Sequence, residues 1–439
     1  MTELNLSTRT SVTLKVVAVG LLVVVLLIPA GLIMVLVRER EGRRNQAVAE
    51  ISESWARPQA ISGPVLVIPV RLAEKDNKGK KLYRTVYASF LPEDLEVSGR
   101  IDTETRYRGI YKAAVYTAKL TVKGEFASPD FDRLSPGTGE ILWDQGILSL
   151  GISDLRGVKD IITVNLDDQR ILLDPGTGAA TYLDSGVSAR LPKGSFRNPT
   201  KATHFSFVLS LKGSQGLYFV PVGKTTRVSL SSPWNAPSFR GAFLPDSRNV
   251  RPDGFDSNWK VLHINRNFPQ AWVKAPNDLY ASNFGVDLLI RVDHYSSTER
   301  AIKYAILYIF LTFLAFFFVE FFGKKQLHPI QYLLVGSGIV LFYLLLLSLS
   351  EHLAFNTAYL LASLGVAGVI SGYVQGALEH LGITAVITAI LAILYGFLYT
   401  LLQLEDYSLL LGSLGLLLAL AIVMYLTRKI DWYNIERKS

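Results

Sequence analysis

Long stretches with no charge constrain this chain more than any other feature. Residues 16–37 (VVAVGLLVVVLLIPAGLIMVLV) hold 22 positions without one ionisable side chain. At 1.5 Å per residue, such a helix covers about 33 Å, against about 30 Å of bilayer hydrocarbon. Residues 301–439 carry only seven Lys/Arg and seven Asp/Glu. Their apolar runs predict five more spans, at 301–322, 328–350, 354–375, 381–403 and 408–427. With 49% hydrophobic and 19% charged residues, the chain falls outside the disordered, coiled-coil and collagen classes.

The first run ends directly in Arg38-Glu39-Arg40-Glu41. A cleaved signal peptide would instead pass from a shorter apolar core into a small-residue site, so this run reads as an anchor. Pro29 is expected to bend it, because a proline inside a helix removes a hydrogen bond and crowds the preceding turn. Six spans place both termini on one side. Arg9 and Lys15, Lys324 and Lys325, and Arg428, Lys429, Arg437 and Lys438 all share that side, which the positive-inside rule puts in the cytoplasm. Arg38, Arg40, Arg43 and Arg44 fall opposite, but a long translocated domain follows them and weakens their effect. The expected organisation is therefore 1–44, cytoplasmic N-terminus and anchor; 45–295, a periplasmic domain; and 296–439, a five-helix bundle.

Between residues 45 and 295 the hydrophobic period becomes two. Tyr116, Ala118, Leu120 and Val122 alternate with Thr117, Lys119 and Thr121; Phe205, Phe207, Leu209 and Leu211 alternate with polar residues, as do Val286, Leu288, Ile290 and Val292. Each run is a half-buried strand. Pro136-Gly137, Asp174-Pro175-Gly176 and Pro252-Asp253-Gly254 punctuate them. Many short strands over this length predict a large antiparallel β-sandwich-like domain, with helix mainly at 44–54 as a continuation of the anchor.

Chemistry-bearing patterns are few. The chain has no cysteine, which removes disulfides, thiolate metal sites and thiol nucleophiles. His204, His263 and His294 are the β domain's histidines and none are at metal-ligand spacing. The pairs Glu93-Asp94 and Asp167-Asp168 have the residue type of a glycosidase acid and base, in turn-like sequence where solvated carboxylates are commoner. No P-loop or Gly-x-Ser-x-Gly motif occurs. Trp234 and Trp259 sit in SSPWNAPSF and FDSNWKV, where exposed rings would stack on a glycan and buried ones would serve the core. No catalytic, metal or cofactor site is therefore assigned. The net charge of +8 is spread out, a pattern that fits a membrane surface better than nucleic acid.

In the bundle, Gly365, Gly368, Gly372 and Gly376 recur every three or four residues and form one stripe, which predicts close helix packing. The span interiors hold almost no ionisable groups, against a transporter. Charges gather at the span ends. Lys303, Glu351 and His352 fall at a common depth; such groups either snorkel to water at the span ends or form an outer polar belt, against which Glu299 and Arg300, leaving the β domain, would dock and in which Lys303 and Glu351 could pair. Glu320, Lys324 and His328 predict an inner cluster, Glu320 and Lys324 having the favourable i to i+4 order.

The stretches RPQAISGPVLVIPV (57–70), RYRGIYKAAVY (106–116), PSFRGAFLP (237–245), TERAIKYAILYIFLTFLAFFFVE (298–320) and HPIQYLLVGSGIVLFYLLLLSLSEHLAFNTAYL (328–360) resemble the CreD family of inner-membrane cell envelope integrity proteins, in the same order over nearly the whole chain. The resemblance implies a bacterial inner-membrane protein tied to envelope stress, often under a two-component regulator, and brings no catalytic residues. The leading expectation is a non-enzymatic envelope protein whose outer domain binds an envelope glycan or a protein partner. The alternatives are a glycan-binding or glycan-processing enzyme and a transporter. Membrane lipids are expected partners, and a homo-oligomer is compatible with the sequence.

Overall fold

The computed structural model describes residues 12–75, 81–134, 139–196, 201–274, 278–290, 294–323, 327–404 and 407–428. The chain divides into two compact units, Met1–Arg44 with Val292–Ser439, and Asn45–Arg291.

The first unit is helical. Helix α1 (Val12–Trp55) is 44 residues long, stays helical through Pro29 and continues beyond this unit. Helices α2 (His294–Lys303) and α3 (Ala305–Gly323) meet at a 48° bend at Tyr304, where one straight span was expected. Four more helices follow: α4 (Pro329–Ser350), α5 (Phe355–Leu378), α6 (Leu381–Gln403) and α7 (Ser408–Thr427). Five of the described helices are long and apolar enough to cross a membrane, or six spans if the bent pair counts as one. Two described glycines of these helices allow close packing: an added Cβ at Gly336 of α4 would crowd Leu26 on α1 and Phe313 on α3, and one at Gly415 of α7 would crowd Phe397 on α6. Among the described residues, nothing packs against the expected stripe. Gly365, Gly368, Gly372 and Gly376 are exposed, and a Cβ at any of them would meet nothing within 4 Å. Their spacing aligns them on one face, but α5 turns Ala362, Val366, Ile370 and Val374 inward instead.

The second unit holds the last turns of α1 and two sheets that share one apolar core. A ten-stranded sheet is organised around β1 (Gln59–Lys75), which pairs antiparallel with β2 (Lys81–Phe90) and with the strand Ile147–Ile152, and parallel with Gly216–Val220. The eight-stranded sheet is built on the long hairpin of β3 (Asp94–Arg108) and β4 (Tyr111–Phe126). Strand β4 pairs antiparallel with Thr203–Ser214, and β3 pairs parallel with Thr225–Ser232. The sheets are thus mixed, where antiparallel ones were expected. Alternation decides the faces: Tyr116, Ala118, Leu120 and Val122 are buried while Lys119 and Thr121 are exposed. By contrast, residues 61–70 of β1 are buried at every position, as in a strand covered on both faces.

Candidate functional site

A polar network in the β unit surrounds the point where α1 becomes β1. Ile51 packs with Ala113 and Val115 of β4, flanked by Val48 and Trp55. The Trp55 indole donates to the Tyr116 carbonyl at 3.2 Å, and its ring is approached by Arg106, 4.8 Å from the centroid, and Lys212, 4.4 Å. Arg108 pairs with Glu50 at 2.6 Å, and Gln215 donates to the Ser52 hydroxyl at 2.9 Å. Beyond the helix, Ser214 donates to the Ala56 carbonyl at 2.7 Å, and the buried Gln59 amide donates to the carbonyls of Asp154 and Lys212. Asp154 accepts from the Arg57 and Arg156 backbone N–H groups and from the Arg156 guanidinium at 2.8–2.9 Å. The Arg156 hydrogen bonds are the main cause drawing its pKa down to about 2, against the opposing effect of burial. Burial pushes the Tyr116 phenol well above its ordinary value, so it stays a neutral donor, to the Gly216 carbonyl at 2.8 Å. The end of α1 is fastened to the sheet by packing and by matched donors and acceptors.

The helical unit fastens other parts of α1 in a similar way. Arg38 lies 3.4 Å from Glu299 of α2, Arg40 lies 3.7 Å from Glu351 at the end of α4, and Arg44 sits over the Tyr295 ring. Tyr295 also donates to Glu351 at 3.1 Å. The expected Lys303–Glu351 pair is replaced, because Lys303 turns back along its own helix to Glu299 at 3.3 Å, in i to i+4 order. Arg300 donates to Ser297 on the same helix. His352 is exposed, its backbone N–H closing α4 onto Leu349. The charged belt thus gathers around Glu299 and Glu351, where arginines of α1 join Lys303 in supplying the opposing charge. Those arginines were missed because they lie some 260 to 310 positions away in sequence and had been weighed only as topology signals.

At the other end of the bundle, Glu320 pairs with Lys15 of α1 and accepts from Tyr332 at 2.9 Å and from the Leu327 N–H at 3.1 Å. Lys324 lies outside the described residues. His328 caps α4, its Nδ1 accepting from the Ile330 N–H at 3.3 Å.

Trp259 presents no stacking platform, while Trp234 is half-buried. Trp259 is 2% exposed, with Phe239 and Phe284 rings 5.7 Å from its own, so no face is open to a sugar. Trp234 lies partly buried against the core, its indole donating to the Leu289 carbonyl at 3.0 Å. Strand register instead produces a shallow groove of about 680 Å³ on the eight-stranded sheet, where Asp94, Glu125 and His204 fall in one row. Asp167 joins them from a two-residue hairpin turn, accepting from the His204 N–H at 2.9 Å. Most of these carboxylates have cationic partners: Asp94 with Arg227 at 2.6 Å, Glu96 with Lys123 at 3.3 Å and Asp167 with Lys201 at 3.2 Å. Burial would raise the Asp167 pKa, but His204 and Lys201 outweigh it and hold it low, the reverse of what a glycosidase acid requires. The groove is a polar surface of paired charges. Among the described residues, no group of three or more His, Asp or Glu stands close enough to hold a metal.

A long apolar helix, further membrane helices and a two-sheet domain define an integral membrane protein with a large β domain attached. The CreD family profile, described as Inner membrane protein CreD, matches residues 11–433. Inner membrane protein CreD of Escherichia coli (strain K12) is 36% identical over 419 residues, covering 94% of this chain and 91% of that protein. The chain belongs to the CreD family of inner membrane proteins. Among solved structures, a mutant M1 zinc metallopeptidase of Deinococcus radiodurans bound to a Tyr-Ser-Ala substrate aligns with 45% of this chain and 42% of its own, at 12% identity and a TM-score of 0.22. That likeness carries no argument.

Proposed function

We propose that this inner-membrane protein supports envelope integrity under stress without catalysing a reaction. In this reading the β domain lies in the periplasm and both termini in the cytoplasm. The domain binds an envelope glycan or a protein partner, with the groove along Asp94, Glu125 and His204 as the contact surface. One observation supports it most: the β unit carries a groove of paired charges rather than a catalytic constellation among the described residues. The groove's charges neutralise one another, which suits recognition of a polar surface better than acid–base chemistry.

Two measurements on the full chain test this. A cysteine placed at the exposed Ser247 should react with an impermeant maleimide in spheroplasts, while one at Ser439 should not; labelling of Ser439 alone reverses the topology. The purified protein should bind peptidoglycan or lipopolysaccharide fragments, or capture a periplasmic protein, without turnover. Arg227→Glu together with Lys123→Glu should weaken that binding; release of a cleaved product would make the protein an enzyme instead.

A further inference from the structure

Four tyrosines from four helices meet inside the bundle: Tyr308 of α3, Tyr343 of α4, Tyr359 of α5 and Tyr395 of α6, each at most 4% exposed. Phe342 lies among their rings, with centroids 4.9 Å from Tyr395 and 5.4 Å from Tyr359, and Tyr308 stands 4.9 Å from Tyr395. One hydroxyl is satisfied, that of Tyr359, which donates to the Tyr395 carbonyl at 2.7 Å. Those of Tyr308, Tyr343 and Tyr395 are buried and make no well-formed hydrogen bond with any described residue. The Tyr308 and Tyr395 hydroxyls approach each other closely enough for at most one imperfect hydrogen bond between them. Such a bond would satisfy one O–H and leave the other still in need of an acceptor.

A buried hydroxyl without a partner is costly in an apolar surrounding, and folded proteins commonly meet the need with ordered water. The chemistry of the site narrows what can fill it. Each phenol brings one donor and two lone pairs, and the groups acting electrostatically on Tyr308 and Tyr343 are all tyrosines. A cation would offer the O–H groups no acceptor and find no carboxylate here. An anion would find no basic side chain, and any charge at such a place is expensive. A small neutral molecule that both donates and accepts fits.

Position brings the cluster near one set of helix ends. Tyr308 and Tyr359 lie about a turn from the starts of α3 and α5, Tyr343 and Tyr395 about two turns from the ends of α4 and α6, so the cluster sits roughly 4.5–12 Å along the helices from those ends. At those ends the exposed Gln403 donates to Asn356 at 2.8 Å, and the Tyr399 ring lies 5.3 Å from that of Tyr359. We propose that the hydroxyls of Tyr308, Tyr343 and Tyr395 enclose ordered water that exchanges with the aqueous face at Asn356 and Gln403. The bundle then has a hydrated site at one end.

X-ray hydroxyl-radical footprinting of the full protein in nanodiscs tests this, since bound water delivers radicals to buried rings beside it. Tyr308, Tyr343 and Tyr395 should be modified several-fold faster than Tyr332, which is equally buried but bonded to Glu320. Equal rates overturn the proposal. Tyr343→Phe and Tyr395→Phe give an independent sign. If water is held, each loses its bonds to it and melts lower, by about 2–4 °C. An unchanged or higher melting temperature means a dry cluster relieved of an unmet hydroxyl and refutes the site. Should a variant fail to fold, the wild-type footprint decides alone.

Discussion

Replacing Asp154 by Asn tests whether the junction between α1 and the β unit is held by charge as well as shape. Asp154 is 8% exposed and accepts from two backbone N–H groups and from the Arg156 guanidinium. Its pKa falls from 3.8 to about 2, which at ~1.36 kcal/mol per decade corresponds to at most about 2.4 kcal/mol of stability. Arg156 is about half exposed, so solvent screening reduces this to about 1–2 kcal/mol. Asp154→Asn should lose that amount at pH 7. Asp154→Ala should lose about 3 kcal/mol, because the Arg57 and Arg156 N–H groups are then left without acceptors. Since the folded pKa lies below the unfolded one, the wild-type contribution is complete above about pH 4 and drains as pH falls toward 2. Urea unfolding of the detergent-solubilised protein, followed by tryptophan fluorescence, reads this unit, which holds five of the six tryptophans. If Asp154→Asn matches wild type at pH 7, or if its deficit persists unchanged to pH 2, the charge-based account of the junction is wrong.

Charge reversal separates the ion pairs around Glu299 and Glu351 from the pairing considered from sequence. Arg40→Glu should impair envelope-stress complementation and Glu351→Arg should restore it in the double variant, while Lys303→Glu with Glu351→Lys should show no such rescue. Gly336→Ala should lower the melting temperature of the purified protein, with overpacking worth about 1–3 kcal/mol, whereas Gly368→Ala should leave it unchanged or raise it, since a helix prefers alanine by up to ~1 kcal/mol. Trp259→Ala should destabilise the β unit by about 3–5 kcal/mol in urea unfolding, as loss of a core aromatic does; a stable variant with altered glycan binding would return Trp259 to the surface.

Much of the architecture was legible in sequence, for local reasons. An uncharged run of helical length can do little else than cross lipid or fill a core, so the helices were found with their ends close to where they lie. The bend at Tyr304 was not foreseen, because that stretch has no proline and its apolar pattern continues. Period-two alternation disclosed strands such as β4 and Thr203–Ser214, whose two faces meet different surroundings. Strand β1 hid its role, since burial on both faces erases the alternation.

What depended on distant pairing could not be read. Whether Thr225–Ser232 lies parallel to β3 is settled by where the chain returns, and a residue's neighbours along the sequence carry no record of that. The arginines of α1 reach Glu299 and Glu351 only once the helices pack. Tyrosine counts as apolar by composition, yet its hydroxyl becomes a demand when four of them converge. Glycine spacing likewise showed which residues share a face of α5, but whether a neighbouring helix covers that face is decided by the packing of the bundle. Hydrophobic length and period are properties of contiguous residues, and they determined the class of this protein and its elements. Partners for charge, hydroxyl and glycine are set by contacts between segments far apart in the chain, and only the tertiary structure chose them.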